Sequence, residues 1–314
     1  MDLVFSVLVP GALFVLLIWQ APAARLGAAN GFALWAEVLV PSLLPFFAGA
    51  LWLGRTGAID RLGRRLSPLL GRWLGLSGSG CGVFLLGLSG GYPLGAASAA
   101  EAFRSGRITR REGERLLCTA DNTGPAFAVG ALGLGIFGDV RWGILLWLCH
   151  ALSALAVGRL LREEPGKGDF LPSAPADPGT ALVGAIRSGA EALIAIGGNV
   201  VFFSALVSVI RSALPCSFPE VGGWPLLRAV LIGALELSSG IAAMKGAVPS
   251  PLSLAVGAFL LSLGGLCVHF QSAALSAGAG LNGKGRLGGK LLQGVLAAAL
   301  AALIGLFLCH TPPR

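Results

Sequence analysis

Four short polar strings, each rich in residues that break helices, interrupt the long apolar stretches of this sequence. They are residues 87–93, 119–125, 236–240 and 267–272. An unpaired backbone N–H or C=O group is costly in the hydrocarbon of a bilayer, so interrupted helices persist there only where they line a cavity or pack against protein. Four such interruptions in one hydrophobic chain indicate a transport site rather than a passive membrane anchor.

The composition supports a membrane protein, because 55% of the residues are hydrophobic, only 12% are charged and the mean hydropathy is +0.80. A helix that crosses a bilayer needs about 20 apolar residues. The stretches that approach or exceed this length are residues 3–20, 32–53, 116–137, 142–161, 181–210, 252–277 and 291–309. We therefore predict an all-α polytopic membrane protein of the bacterial cytoplasmic membrane.

The net charge of +8 is explained by basic loops that orient the helices, so we expect no nucleic-acid partner. Arginines cluster on both sides of residues 74–103: Arg55, Arg61, Arg64, Arg65 and Arg72 precede the stretch, and Arg104, Arg107, Arg110, Arg111 and Arg115 follow it. Basic loops stay cytoplasmic, so both ends of the stretch lie on one side and it is a re-entrant hairpin. The same rule gives a cytoplasmic N-terminus and a cytoplasmic basic loop with Lys284, Arg286 and Lys290.

The order of the elements indicates an internal repeat. We divide the chain into an N-terminal transmembrane helix in residues 1–30, a first repeat in 31–161, a cytoplasmic linker in 162–179 and a second repeat in 180–309. The first repeat contains the hairpin 74–103 and a broken helix at 114–137; the second contains a hairpin at 225–247 and a broken helix at 251–279. The charge pattern runs the two repeats in opposite directions, and inverted repeats with broken helices are typical of secondary transporters.

The predicted substrate site combines polar side chains and bare backbone from the four interruptions. Its residues are Ser89, Gly90, Gly91, Tyr92, Asn122, Thr123, Glu236, Ser238, Ser239, His269 and Gln271. Helix N-termini at the hairpin tips would attract an anion through unpaired N–H groups and the helix dipole. Asp121 is a candidate for a coupling proton or cation, because a carboxylate within an apolar helix should face a polar cavity.

Simpler roles remain open for three of these side chains. Asp121 could lie close enough to the cytoplasm to be solvated, Glu236 could pair with Lys245 or Arg228, and His269 could join two helices by a hydrogen bond. Residues 133–138 match the G-x-G-x-x-G pattern, but they end a membrane helix and follow no strand, so they predict no dinucleotide site. The sequence contains no nucleophile elbow and no metal-ligand spacing. We therefore expect no enzymatic activity, no cofactor and no metal.

At these motifs the chain resembles the family of the sporulation integral membrane protein YlbJ, also called SpoVV, within the nucleoside-recognition or gate domain group. The strings that carry the resemblance are residues 41–46, 89–96, 114–117, 122–127, 236–240 and 264–271. The resemblance extends over about residues 30–280. The family usually has Asn where this chain has Asp121, and its members are usually longer.

The resemblance implies a fold similar to that of concentrative nucleoside transporters, with inverted repeats that each hold a re-entrant hairpin and a broken helix. It also implies that the protein moves a small-molecule substrate, dipicolinate, into the developing spore and lies in the outer forespore membrane. By fold analogy it implies a homotrimer. A nucleoside or nucleobase would suit the same polar residues. A non-transporting sporulation scaffold with this fold is the alternative from another class, and an intramembrane enzyme ranks third.

Overall fold

The computed structural model describes residues 7–164, 177–213 and 223–309. Most of the predicted linker at 162–179 and of the external loop between the second repeat's first two helices lies outside the described residues. In the described part of the first half, the helices are α1 Val9–Trp19, α2 Ala21–Arg55, α3 Ala58–Leu74, α4 Gly78–Gly90, α5 Leu94–Arg104, α6 Arg110–Thr119, α7 Pro125–Leu134 and α8 Val140–Leu160. Residues Leu34–Leu39 of α2 form a π-helical segment.

The second half continues with α9 Pro178–Ala213, α10 Trp224–Leu235, α11 Leu237–Ala242, α12 Pro251–Leu263, α13 Gly265–Ala277 and α14 Arg286–Leu308. Five spans in the described residues are long and apolar enough to cross a membrane: Ala21–Arg55, Val140–Leu160, Pro178–Ala213, Pro251–Ala277 and Arg286–Leu308. The helices α3 and α4 form a further apolar pair that is bent by 89°. These observations confirm the predicted all-α polytopic membrane class.

The first hairpin reverses at the tip that the sequence indicates. Helix α4 ends at Gly90, the chain turns through Gly91, Tyr92 and Pro93, and α5 begins at Leu94. Gly91 has a φ of +89°, which is a left-handed region where a side chain would be strained. The first broken helix follows: α6 ends at Thr119, and α7 starts at Pro125, where the missing N–H of proline costs nothing.

The second hairpin and the second broken helix have equivalent interruptions. Glu236 adopts an extended conformation between α10 and α11. Between α12 and α13, Gly264 and Gly265 have φ values of +77° and +76°. The break in the second hairpin therefore falls within its predicted polar string. The prediction of an interruption at residues 267–272 is wrong, because these residues are helical in α13 and the chain breaks just before them, where two successive glycines adopt positive φ.

Each hairpin tip packs directly on the helix break of its own half. A Cβ atom placed on Gly91 would lie 2.8 Å from the backbone nitrogen of Gly124 in the first break. A Cβ atom placed on Gly265 in the second break would lie 2.6 Å from the carbonyl oxygen of Gly233 in α10. In both halves, therefore, the backbone of the hairpin contacts the backbone of the helix break. Glycine permits this contact because it has no Cβ atom.

Two features differ from the sequence prediction. The predicted boundary at residue 30 falls inside α2, which runs without a break from Ala21 to Arg55; the N-terminal helix of the described residues is α1. The prediction of a cytoplasmic basic loop is wrong for Arg286 and Lys290, which lie in α14 with only 5% and 1% of their surface exposed. Both side chains have polar partners inside the protein, which removes their need for water.

Two hydrophobic clusters hold the helices around these breaks. The larger one joins α7, α8 and α12 through fully buried side chains such as Leu132, Leu146 and Leu254. The smaller one packs the first hairpin on α6, with Phe84 and Leu116 among its buried members. The breaks are therefore fixed from both sides by close-packed apolar contacts.

The substitution Gly95→Ala tests the backbone contact between α5 and the first helix break. A Cβ atom on Gly95 would lie 2.6 Å from the carbonyl carbon of Ala120 and 2.8 Å from the Cα of Asp121. Because backbone cannot move aside as a side chain does, we expect a loss of about 1–3 kcal/mol of stability, measured by thermal unfolding in detergent. Gly49→Ala is the matched control, since nothing lies within 4 Å of its added Cβ. Equal stability of the two variants would contradict the contact.

Candidate functional site

All four polar strings contribute residues to a single cavity of the described structure. The cavity is narrow: the space open to the centres of water molecules is about 60 Å³, within an empty volume of about 510 Å³ that includes solvent at its mouth. Its polar wall comes from the two tips and the two broken helices: Gly91, Tyr92, Thr123, Gly124, Glu236, Ser238, Cys267 and Gln271. Its apolar wall comes mainly from α2 and α9, with Leu43, Phe47 and Val200 among the residues.

Glu236 is the N-cap of α11. The side chain is 2% exposed, and its two oxygens accept hydrogen bonds from the backbone N–H groups of Ser238 at 2.9 Å and Ser239 at 2.6 Å. This contact satisfies donors that would otherwise be orphaned at the helix start. The sequence predicts that a substrate anion occupies this helix end, and that expectation is wrong here because the protein's own carboxylate already occupies it.

Tyr92 and Thr123 bind the end of α12 from the first half of the chain. The Thr123 hydroxyl donates to the carbonyl oxygen of Leu261 at 2.5 Å, and the Tyr92 hydroxyl donates to that of Ser262 at 3.1 Å. The last carbonyl groups of a helix have no partner within it. The first tip and the first break therefore satisfy backbone groups at the second break.

Behind this wall lies a fully buried polar network centred on Asn122. Its Oδ1 accepts hydrogen bonds from the Lys290 Nζ and the Gln293 Nε2, both at 3.0 Å. Its Nδ2 donates to the carbonyl oxygen of Thr119 at 2.7 Å. The Lys290 Nζ also donates to the Gln293 Oε1 at 2.9 Å. Asn122 thus joins the end of α6 to one face of α14.

His150 of α8 completes the network. Its Nε2 accepts the backbone N–H of Thr123 at 3.2 Å, and its Nδ1 lies 2.8 Å from the Ser262 hydroxyl. Because Nε2 accepts from a backbone donor, hydrogen-bond logic assigns the ring proton to Nδ1, which donates to Ser262. The imidazole therefore connects the first break to the end of α12.

Asp121 lies beside this network and does not line the cavity. It is 2% exposed, so the alternative of a solvated carboxylate does not hold. Its Oδ2 accepts a hydrogen bond of 2.5 Å from the Ser272 hydroxyl, and its Oδ1 has no hydrogen-bond partner among the described residues. Lys290 and Arg286 are the basic side chains whose charges act on it.

The predicted site residues separate into two groups. Those that line the cavity are Gly91, Tyr92, Thr123, Glu236, Ser238 and Gln271. Those that do not are Ser89, Gly90, Asn122, Ser239, His269 and the coupling candidate Asp121. Ser89 is exposed and donates to Leu86 of its own helix, and the Ser239 hydroxyl lies 3.3 Å from that of Ser204 on α9. The His269 carbonyl accepts a hydrogen bond from Arg286, while its ring Nε2 has no partner in the described residues.

Sequence reasoning misses five polar residues around the site: His150, Ser262, Arg286, Lys290 and Gln293. A usable signal exists for three of them. Lys290 and Gln293 are three residues apart at the start of an apolar helix and so share one face. His150 is likewise an ionisable residue within an apolar span, which is a functional-site hypothesis by default. Their partners on other helices leave no trace in the local sequence.

Comparisons with known proteins agree with this architecture, although no protein-family model matches the chain. The chain is 30% identical over 309 residues to the sporulation integral membrane protein YlbJ of Bacillus subtilis (strain 168). The aligned region covers 88% of this chain and 76% of that protein. In structure it is similar to CNTnw in an inward-facing substrate-bound state, with a TM-score of 0.55 and 15% identity, over 94% of this chain and 87% of the other. The chain has the concentrative nucleoside transporter fold, as the sequence resemblance implies.

Replacement of Asn122 by alanine tests the buried network. The change removes the acceptor that Lys290 and Gln293 share, and a lost hydrogen bond to a charged group costs about 1.5–3 kcal/mol. We expect a clear drop in the unfolding temperature of the purified protein in detergent. Asn199→Ala is the matched control, because that side chain only donates to Ala195 in its own helix. An unfolding temperature for Asn122→Ala that equals the control would refute the network's contribution.

Proposed function

The chain belongs to the family of the sporulation integral membrane protein YlbJ, and we propose that it is a secondary transporter or facilitator of a small planar polar molecule. One observation carries the proposal: the two hairpin tips and the two broken helices all contribute residues to one cavity. Such convergence of interrupted helices is how secondary transporters build their substrate sites.

Dipicolinate is the first candidate for the substrate, because the family resemblance implies movement of this compound into the developing spore. Tyr92 offers a ring on which a planar pyridine dicarboxylate could stack. The Lys290 ammonium lies 5.7 Å from the centroid of that ring and contributes positive potential behind the cavity wall. The polar side chains of Ser238 and Gln271 add donors for carboxylate oxygens.

A nucleoside or nucleobase is the second candidate, and the charge of the cavity favours it. Among the described lining residues, Glu236 is acidic and none is Lys, Arg or His. A buried carboxylate repels a dianion strongly in a low-dielectric site. An uncharged base avoids this repulsion and can use the same serine and amide groups.

The proposal favours transport over the two alternatives. A scaffold should have polar groups that satisfy only one another in a closed core, whereas here the two hairpin tips and the two broken helices line a shared cavity. An enzyme needs a free reacting group at its cavity. The oxygens of Glu236 accept from two backbone N–H groups, and the sulfur of Cys267 accepts from the Gln271 amide. The ring nitrogens of His150 are engaged by Thr123 and Ser262. We propose that the protein acts in sporulation, in the outer forespore membrane with a cytoplasmic N-terminus, and that it forms a homotrimer as the fold analogy suggests.

Uptake of labelled dipicolinate and of labelled nucleosides into proteoliposomes tests the proposal. We expect flux of at least one of them, and absence of both would refute the substrate assignment. The variant Glu236→Gln keeps an acceptor oxygen for the cap but removes the charge. Without the repulsion between carboxylates, the half-saturating concentration for dipicolinate uptake should fall by about tenfold. The half-saturating concentration for uptake of a nucleoside should stay nearly unchanged.

The control for that variant is Glu191→Gln, because Glu191 lies on α9 away from the cavity and forms an exposed ion pair with Arg187. Glu191→Gln should change neither the uptake of dipicolinate nor the uptake of nucleosides. A nucleoside flux that Glu236→Gln leaves nearly unchanged, together with no dipicolinate flux, would exclude the first candidate and retain the second.

A further inference from the structure

The Lys290 ammonium occupies a place built for a small cation. Its Nζ lies 3.0 Å from the Asn122 Oδ1 and 2.9 Å from the Gln293 Oε1. The face of the Tyr92 ring lies on another side, with its centroid 5.7 Å away. Two amide oxygens and an aromatic face are partners that suit a monovalent cation. With 1% of its surface exposed, the side chain is shielded from water.

The Lys290 ammonium also lies at a place in the fold that attracts cations. Asn122 follows the end of α6 at Thr119, where the helix leaves its last carbonyl groups and the negative end of its dipole. In transporters with broken helices, such half-helix C-termini and unwound segments coordinate the coupling cation. Lys290 reaches this place from α14, a helix that is not interrupted.

The buried charges around Asn122 comprise one carboxylate and two cations, those of Asp121, Lys290 and Arg286. Asp121 adjoins Asn122 and acts on Lys290 by its negative charge. No ion pair within 4 Å joins the two residues in the described structure, so the ammonium is held by neutral oxygens while Asp121 supplies the counter-charge nearby. A sodium ion at the same break would have to approach a fixed positive charge that is screened only weakly by the buried surroundings.

We infer that Lys290 is a tethered cation that takes the position of a coupling ion at the first helix break, so that this break binds no free monovalent cation. The inference rests on the transport function proposed above. It predicts that transport runs without a sodium gradient. It also gives Asp121 the role of a counter-charge, in place of the coupling role that the sequence predicts.

The first test needs no transport. The unfolding temperature of the purified protein is measured in sodium, potassium, choline and methylammonium chloride at equal ionic strength. The wild-type protein should show the same temperature in all four salts. Lys290→Ala should unfold at a lower temperature, and methylammonium or sodium should raise that temperature with concentration, as a ligand that binds only the folded state does.

The matched control is Lys245→Ala, because Lys245 is exposed; this variant should behave as the wild type in every salt. Stabilisation of the wild-type protein by sodium relative to choline would overturn the inference, and this measurement decides the matter even if Lys290→Ala does not fold. A folded Lys290→Ala protein that no small cation stabilises would also overturn it.

The second test separates this inference from the proposed function. Uptake of dipicolinate and of nucleosides into proteoliposomes is compared with and without an inward sodium gradient, for the wild type and for Asp121→Asn. Uptake by both proteins that is independent of the gradient supports the tethered cation. Uptake driven by sodium overturns the inference but supports transport, whereas no uptake at all refutes the proposed function and leaves the result of the first test standing.

Discussion

The buried hydrogen bonds around Asn122 are the constraint on which the rest of the site depends. The ammonium of Lys290, the amide of Gln293 and the carbonyl oxygen of Thr119 all meet the side chain of this residue. Breaking a buried charged network by removing one partner is costly, since the remaining charge stays desolvated and unpaired. The same bonds fix where α6 stops, and hence where Thr123 and Gly124 can line the cavity.

Side chains of the protein itself satisfy the interrupted backbone, which explains how helix breaks can exist in a membrane. Hydroxyl groups of Tyr92 and Thr123 in the first half reach carbonyl groups near the end of α12 in the second. Glu236 instead serves its own half, by capping α11. Each mode removes unpaired polar groups from lipid. The side chains that satisfy the backbone at the helix breaks bring these breaks together, and the cavity lies where they meet.

The positions of the interruptions could be predicted from the sequence, because Gly91, Pro125 and Gly264 act on the local backbone. The direction in which each side chain points could not be predicted from the sequence. Ser238 and Ser239 are neighbours, yet Ser238 lines the cavity and Ser239 faces Ser204 on α9, because successive residues of a helix point about 100° apart. The charge rule predicts a loop position for Lys290, because it treats all basic residues near a helix end alike. Only the fold shows that the Lys290 ammonium donates to the side chains of Asn122 and Gln293.

The charges of the site divide into two layers, and this division limits what the cavity can carry. The layer that faces the cavity contains the Glu236 carboxylate, with both oxygens held by N–H groups of α11. The layer behind contains Lys290, Arg286 and Asp121, none of which lines the cavity, and the Tyr92 ring lies between Lys290 and the cavity. Substrate charge is therefore met first by a carboxylate and only at longer range by an ammonium. Coulomb interactions decline slowly with distance in a weakly screened interior. The balance of these charges would therefore set the preference of the proposed substrate site between an anion and a neutral ring.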